Sequence, residues 1–192
     1  MQVIADAARV SRLISDLAQR IQSDMDQLGE DQDWAMVGVR SRGDELARRL
    51  AEQLGIERVG TVDITLYRDD LSEVGHQPVV RTTEIDFPID GLHVVLVDDV
   101  LMTGRSIRAA LQLLMDLGRP RRVWLTVLAD RGGRELPIQP DHVGLDLSER
   151  SDEAGLRPEQ RVDVLLEPTD DGDRIEVRSG AAADPAQVES IQ

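Results

Sequence analysis

The sequence predicts an α/β fold with a mainly parallel central sheet flanked by helices. Three observations carry this. Short, continuous apolar runs at Trp34–Val39, Leu92–Val97 and Val123–Ala129 read as strands buried on both faces. Stretches with apolar residues at a 3.6-residue period lie between them, and the two kinds of segment alternate along the chain. Sheets of this class bind ligands beyond the carboxyl ends of their strands. The segments that matter for function are therefore 40–43, 68–83, 98–105 and 130–146.

Residues 3–28 read as an amphipathic helix, with Val10, Leu13, Ile14, Leu17 and Ile21 on one face and Gly29 at its end. Trp34–Val39 is a strand and Arg40–Gly43 a turn. Asp44–Leu54 is a helix, with Leu46, Leu50 and Leu54 four apart and Gly55 as its stop. Val59–Tyr67 alternates and is β-branched, hence a strand. Residues 68–83 are polar and read as a long loop or a mobile flap. Leu92–Val97 is the central strand, Asp98–Arg105 a loop, and Ser106–Leu117 a helix capped near Ser106. Val123–Ala129 is a strand, and 130–160 reads as irregular. Val162–Leu166 and Arg174–Val177 are two late strands around Asp170-Asp171-Gly172-Asp173. The small, polar stretch 179–192 reads as a disordered tail.

The length of 192 residues suits one large domain or at most two small ones. With aromatics at 2%, base stacking on aromatic platforms is nearly excluded. The absence of Cys excludes disulfides, thiolate metal sites and Cys nucleophiles. No apolar run is long enough to span a bilayer and no signal-peptide pattern opens the chain, so a cytoplasmic protein is expected. All 22 basic residues are Arg, and the formal net charge is −15. A field of that sign opposes binding of polyanions. It fits either a high-salt cytoplasm or a GC-rich genome, and composition does not separate the two.

The strongest chemical signal is Val94-Val95-Leu96-Val97-Asp98-Asp99-Val100-Leu101-Met102-Thr103-Gly104-Arg105-Ser106. An apolar strand delivers two adjacent carboxylates, and a short loop then leads into a helix. Backbone N–H groups at a helix start, helped by Thr103 and Ser106, make a phosphate cradle, and Gly104 allows close approach. Two acids beside a phosphate cradle imply a ligand that also presents hydroxyls or a metal. A ribose 5-phosphate satisfies both halves. The plainer alternative is an Asp pair that merely caps a helix.

This arrangement resembles the PRPP-binding motif of the type I phosphoribosyltransferases. The resemblance extends to Val37-Gly38-Val39-Arg40-Ser41-Arg42-Gly43, Asp63–Leu71 and Asp130-Arg131-Gly132-Gly133-Arg134-Glu135-Leu136-Pro137-Ile138, in the order found in the PyrR family. Those are uracil phosphoribosyltransferases that in many bacteria also regulate the pyrimidine operon through RNA. The resemblance implies a type I phosphoribosyltransferase fold over residues 1–178, with a small hood near 130–160 and a mobile loop after Tyr67. It implies that Arg40, Ser41, Arg42 and Gly43 hold the pyrophosphate of PRPP. Asp98 and Asp99 would hold the ribose hydroxyls, and Met102, Thr103, Gly104, Arg105 and Ser106 the 5-phosphate. Arg68 would neutralise departing pyrophosphate, unless it is an ordinary loop residue. Asp130, Arg131, Gly132, Val143 and Gly144 would form the hood over the base. The implied ligands are PRPP carried with Mg²⁺, uracil and UMP, and the implied assembly is a homodimer or larger homo-oligomer.

Four departures separate this chain from the family pattern. Asp16 and Gln19 stand where the family has Arg and His, Gly133 where it has His, and Leu145 where it has Lys. Residues 146–160 replace the family's short segment after the hood. The lost groups are those that RNA-binding members present to the transcript, so the sequence argues against RNA binding. His142, where the family commonly has Tyr, lies either near the base or on the surface. Two further readings stay open: a UMP- or PRPP-sensing RNA-binding regulator, and a phosphoribosyltransferase for another base.

Overall fold

The structure is a computed structural model that describes residues 1–29, 33–65, 83–148, 156–157 and 159–179. In chain order the elements are β1 (Gln2–Ala5), α1 (Ala7–Leu28), β2 (Trp34–Val39), α2 (Gly43–Leu54), β3 (Val59–Val62), β4 (His93–Leu101), α3 (Arg105–Leu117), β5 (Arg122–Asp130), β6 (His142–Asp146), β7 (Gln160–Leu165) and β8 (Arg174–Ser179). Five strands form one sheet in the order β3-β2-β4-β5-β6, all parallel. Three more form a separate antiparallel sheet in the order β1-β8-β7.

Successive side chains of the central strands point to opposite faces, and each face has its own core. Met36, Val95, Val97 and Leu128 pack against Leu17 and Ile21 of α1, Leu46 and Leu50 of α2, and Val164 and Ile175 of the small sheet. Val37, Val94, Leu96 and Val127 pack against Ile107, Ala110 and Leu114 of α3. Each fully buried Leu or Ile contributes about 1.5–3 kcal/mol by leaving water. No helix among the described residues is long and apolar enough to cross a membrane.

Several expected elements are corrected. The first helix starts at Ala7, capped by Asp6, whose side chain accepts the Arg9 N–H at 2.8 Å. Residues 2–5 before it are a strand, held by pairing with β8. The strand after Arg58 ends at Val62, and residues 66–82 lie outside the described residues. The stretch 130–160 is not irregular throughout: His142–Asp146 is the edge strand of the parallel sheet, in register with Thr126–Asp130. Of the expected tail at 179–192, Ser179 is the last residue of β8, and 180–192 lie outside the described residues.

His142 is neither at the carboxyl edge of the sheet nor on the surface. It is buried at the start of β6, with Nδ1 3.0 Å from Thr126 Oγ1 and Nε2 3.2 Å from Asp24 Oδ2 of α1. It ends an aromatic row on the α1 face: Trp34 meets His93 at 4.8 Å and Trp124 at 4.7 Å, and Trp124 meets His142 edge-on at 5.5 Å.

Candidate active site

The acid pair is not in a loop as expected. β4 runs on through Asp98 and Asp99 to Leu101, with Asp98 opposite Val127 and Leu101 opposite Asp130 of the equally long β5. The Asp99 N–H donates to Asp98 Oδ1 at 3.0 Å, and the Val100 N–H to Asp99 Oδ1 at 2.8 Å. Each carboxylate therefore caps the next amide and is fixed in place. Asp98 is only 6% exposed. Burial, and then the neighbouring Asp99 charge, push its carboxyl well above the usual range. Burial also raises Asp99, against the amide bonds and the Arg42 charge that lower it. Two such groups titrate as a unit.

The turn after β4 contracts to Met102–Gly104, because α3 begins at Arg105 rather than Ser106. Its cap is Gly104, at φ +88°, with no side-chain cap bond. The expected Ser106 cap is thus absent, and the Arg105 N–H instead donates to Thr103 Oγ1 at 3.3 Å. The carbonyls of this turn are all committed. Leu101 O accepts from Arg131 N at 2.9 Å, and Thr103 O from Glu135 N at 3.0 Å and Leu136 N at 3.1 Å. Met102 O accepts from Arg134 Nη1 at 2.9 Å, and Gly104 O from Arg108 N at 2.9 Å. A backbone whose carbonyls are tied back by the 131–136 segment presents amides, which is what an anion requires. The Arg105 side chain turns to Glu135, with Nε 2.7 Å from Glu135 Oε2. Met102 and Ser106 are at least partly open to solvent.

β2 ends beside β4, and residues 40–43 follow it. The Arg40–Ser41 peptide is cis. The Arg40 guanidinium lies between Asp44, 3.4 Å from Nε, and Glu84, 3.3 Å from Nη2. Its Nε is buried with charge proximity to Asp44 but no well-aligned hydrogen bond. Ser41 is exposed. Arg42 is bound through both Nε, 2.8 Å, and Nη2, 2.9 Å, to Asp170. Gly43 opens α2 where a Cβ would lie 2.6 Å from Val97 O and 3.0 Å from Asp98 Cα. Only glycine lets this helix start rest on the acid-bearing strand.

The residues expected over the base divide. Asp130 is buried at the end of β5, accepts the Gly132 N–H at 2.8 Å and is paired with Arg134. Arg131 is buried too, and its guanidinium reaches the carbonyls of Gln160, the first residue of β7, at 2.7 Å, and of Arg157, at 3.0 Å. Val143 and Gly144 lie within β6 rather than in a loop. A Cβ on Gly144 would sit 2.6 Å from Leu128 O, so its smallness serves sheet packing. Arg68 lies outside the described residues. Sequence reasoning missed Arg134, Glu84 and Asp170. A basic residue at 134 next to the site was visible, but no local pattern pointed to the other two.

Residues 3–158 match the phosphoribosyl transferase domain family. The chain is 51% identical over 154 residues to the bifunctional protein PyrR of Thermus thermophilus, which covers 77% of this chain and 81% of that one. It is 43% identical over 187 residues to the protein of the same name from Syntrophobacter fumaroxidans, covering 95% of each. Among solved structures, the hypoxanthine phosphoribosyltransferase of Trypanosoma cruzi aligns over 94% of this chain and 98% of its own at TM-score 0.67 and 18% identity, a likeness of fold. The five-stranded parallel sheet with its acid-tipped central strand is a type I phosphoribosyltransferase domain, and the chain belongs to the PyrR family.

Proposed function

We propose that this chain transfers the phosphoribosyl group of PRPP to uracil, yielding UMP and pyrophosphate. One observation carries the reading. A carboxylate pair towards the end of β4, with Asp98 buried and Asp99 partly buried, is followed by a turn whose carbonyls are all bound elsewhere. A ligand that satisfies both parts carries a phosphate beside vicinal hydroxyls. In PRPP the 5-phosphate would lie on the backbone of Met102–Ser106, with the 2′ and 3′ hydroxyls donating to Asp98 and Asp99. The diphosphate would face Arg40–Gly43, where Arg42 has N–H groups to spare after binding Asp170. Uracil as acceptor follows from the resemblance at Asp63–Leu71 and Asp130–Ile138. The base would lie near the backbone of Asp130–Gly132 and beside Val143 and Gly144, with Arg68 and its loop closing over the diphosphate.

Displacement at C1 of the ribose breaks the bond to the diphosphate oxygen and forms one to a uracil nitrogen. Positive charge grows on the ring between bond breaking and bond making. The Asp98–Asp99 pair, accepting from the ribose hydroxyls, stabilises that charge from a fixed position. The rest of the rate enhancement comes from holding phosphate, ribose and base in line. Mg²⁺ would arrive with PRPP, held mostly by the substrate's own phosphate oxygens. The test is PRPP-dependent pyrophosphate release measured base by base. Product with uracil supports the reading, and product with hypoxanthine but none with uracil overturns it.

We infer in addition that RNA recognition is weakened in this chain. Asp16 and Gln19 are exposed on α1 where basic groups would favour RNA, and the net charge is −15. A filter-binding assay that finds tight, sequence-specific binding to a pyrimidine-operon leader contradicts this.

A further inference from the structure

The acidic turn between β7 and β8 reaches back to the start of α2. Asp170 lies 128 positions from Arg42, yet its two carboxylate oxygens receive Nε and Nη2 of that guanidinium at 2.8 and 2.9 Å. Asp170 is itself anchored. Its Oδ2 also accepts the Leu166 N–H at 2.9 Å, and its own N–H donates to Leu166 O at 2.9 Å. Its side chain is 11% exposed. Asp173 repeats the device two turns further along α2: it accepts the Glu167 N–H at 2.9 Å and binds Arg49 Nη2 at 3.0 Å. The turn thus clasps α2 at two points, and only one of them belongs to the segment expected to meet the diphosphate.

We propose that Asp170 is a positioning residue for the diphosphate end of the site, acting through Arg42. The proposal rests on the phosphoribosyltransferase reading above. A guanidinium has five N–H groups. Asp170 uses two of them, along one edge, and no other described residue is bonded to the remaining three. A long side chain held in one rotamer before the ligand arrives loses less freedom on binding. The clasp also ties the small antiparallel sheet to the diphosphate loop, because Asp170 sits directly between β7 and β8. The opposite effect is the natural rival: a carboxylate in the fork of Arg42 would compete with the diphosphate rather than assist it.

Calorimetric titration of the full chain with magnesium pyrophosphate and with PRPP separates these cases. Asp170→Ala is expected to weaken pyrophosphate binding about five- to tenfold, the cost of one side chain left to be ordered by the ligand. Asp170→Asn, which keeps one acceptor, is expected to fall between it and the wild type. In an Arg42→Ala background, Asp170→Ala is expected to change affinity by less than about twofold, because the residue acts only through Arg42. Asp173→Ala, which breaks the other clasp, is expected to lower the melting temperature and leave pyrophosphate affinity within about twofold. Tighter binding by Asp170→Ala makes the carboxylate a competitor and overturns the proposal. So does an equal loss in Asp173→Ala, which would reduce the contact to general anchoring, or a loss that persists without Arg42. A wild-type chain that binds neither pyrophosphate nor PRPP overturns the underlying function instead, and this proposal falls with it.

Discussion

Replacing Gly43 with alanine is expected to damage the site through geometry alone. The new Cβ would stand 2.6 Å from Val97 O and 3.0 Å from Asp98 Cα, against the 3.4 Å at which ordinary contact begins. Both neighbours are backbone of the central strand and cannot rotate away. The start of α2 must therefore lift off β4 by about 0.8 Å, carrying Arg42 with it. Overpacking of this kind costs about 1–3 kcal/mol. For a chain of this length that lowers the melting temperature by about 2–12 °C. A displacement near 1 Å between two groups that must grip one substrate costs about 100-fold in turnover. Thermal melts together with PRPP-dependent pyrophosphate release measure both effects. A Gly43→Ala variant that melts lower but keeps wild-type kcat/KM would refute the argument that the contact between the α2 start and β4 sets the site's geometry.

Asp98→Asn is expected to raise the melting temperature while impairing turnover. Burial raises the Asp98 pKa, so the folded chain favours the protonated form and stability falls as pH rises from about 4 through the folded pKa. The variant's advantage over wild type should therefore grow from pH 4 towards neutrality, and an advantage that shrinks instead contradicts the assignment. His93 has the opposite sign. Burial, and then Arg121 and Arg122, lower its pKa, and both ring nitrogens are buried without a hydrogen bond among the described residues. Stability should fall as pH drops below about 6.5, and His93→Phe, which keeps the contact with Trp34, should flatten that limb in urea melts at pH 5 and 7.5. Arg134→Ala should cost about 3–5 kcal/mol, because it strands the buried Asp130 carboxylate and frees Met102 O. Asp130→Ala added to it should recover part of the loss, and a variant that is no less stable than wild type would show that the pair is dispensable.

The parts of this molecule legible in the sequence are those decided by neighbours in the chain. The runs Trp34–Val39 and Val94–Val97 read as strands because full burial on two faces demands unbroken apolar sequence. The Asp98–Ser106 segment is legible because its acids, hydroxyls and glycine fall within nine residues of one another. The misses share one cause, which is pairing with distant segments. Gln2–Ala5 is too short to carry a period and is a strand only because β8 lies beside it. His142–Asp146 contains a glycine and follows prolines, so local pattern reads it as a loop, but β5 supplies the ladder. Asp98 and Asp99 are poor strand formers, yet β5 extends far enough to keep them in the sheet. The partner of Arg42 could not be read at all, since nothing near Asp170 in sequence distinguishes it from Asp171, which instead binds Arg174 at 2.8 Å.

The account stands on the acid pair at the tip of β4 serving a ribose. The direct measurement is steady-state formation of UMP from uracil and PRPP by the wild type and by the Asp98→Asn, Asp99→Asn double variant, with both folded by thermal melt. The account predicts UMP from the wild type and a loss of at least about 100-fold in kcat from the double variant. A double variant that turns over like the wild type, or a wild type that makes no UMP, contradicts it.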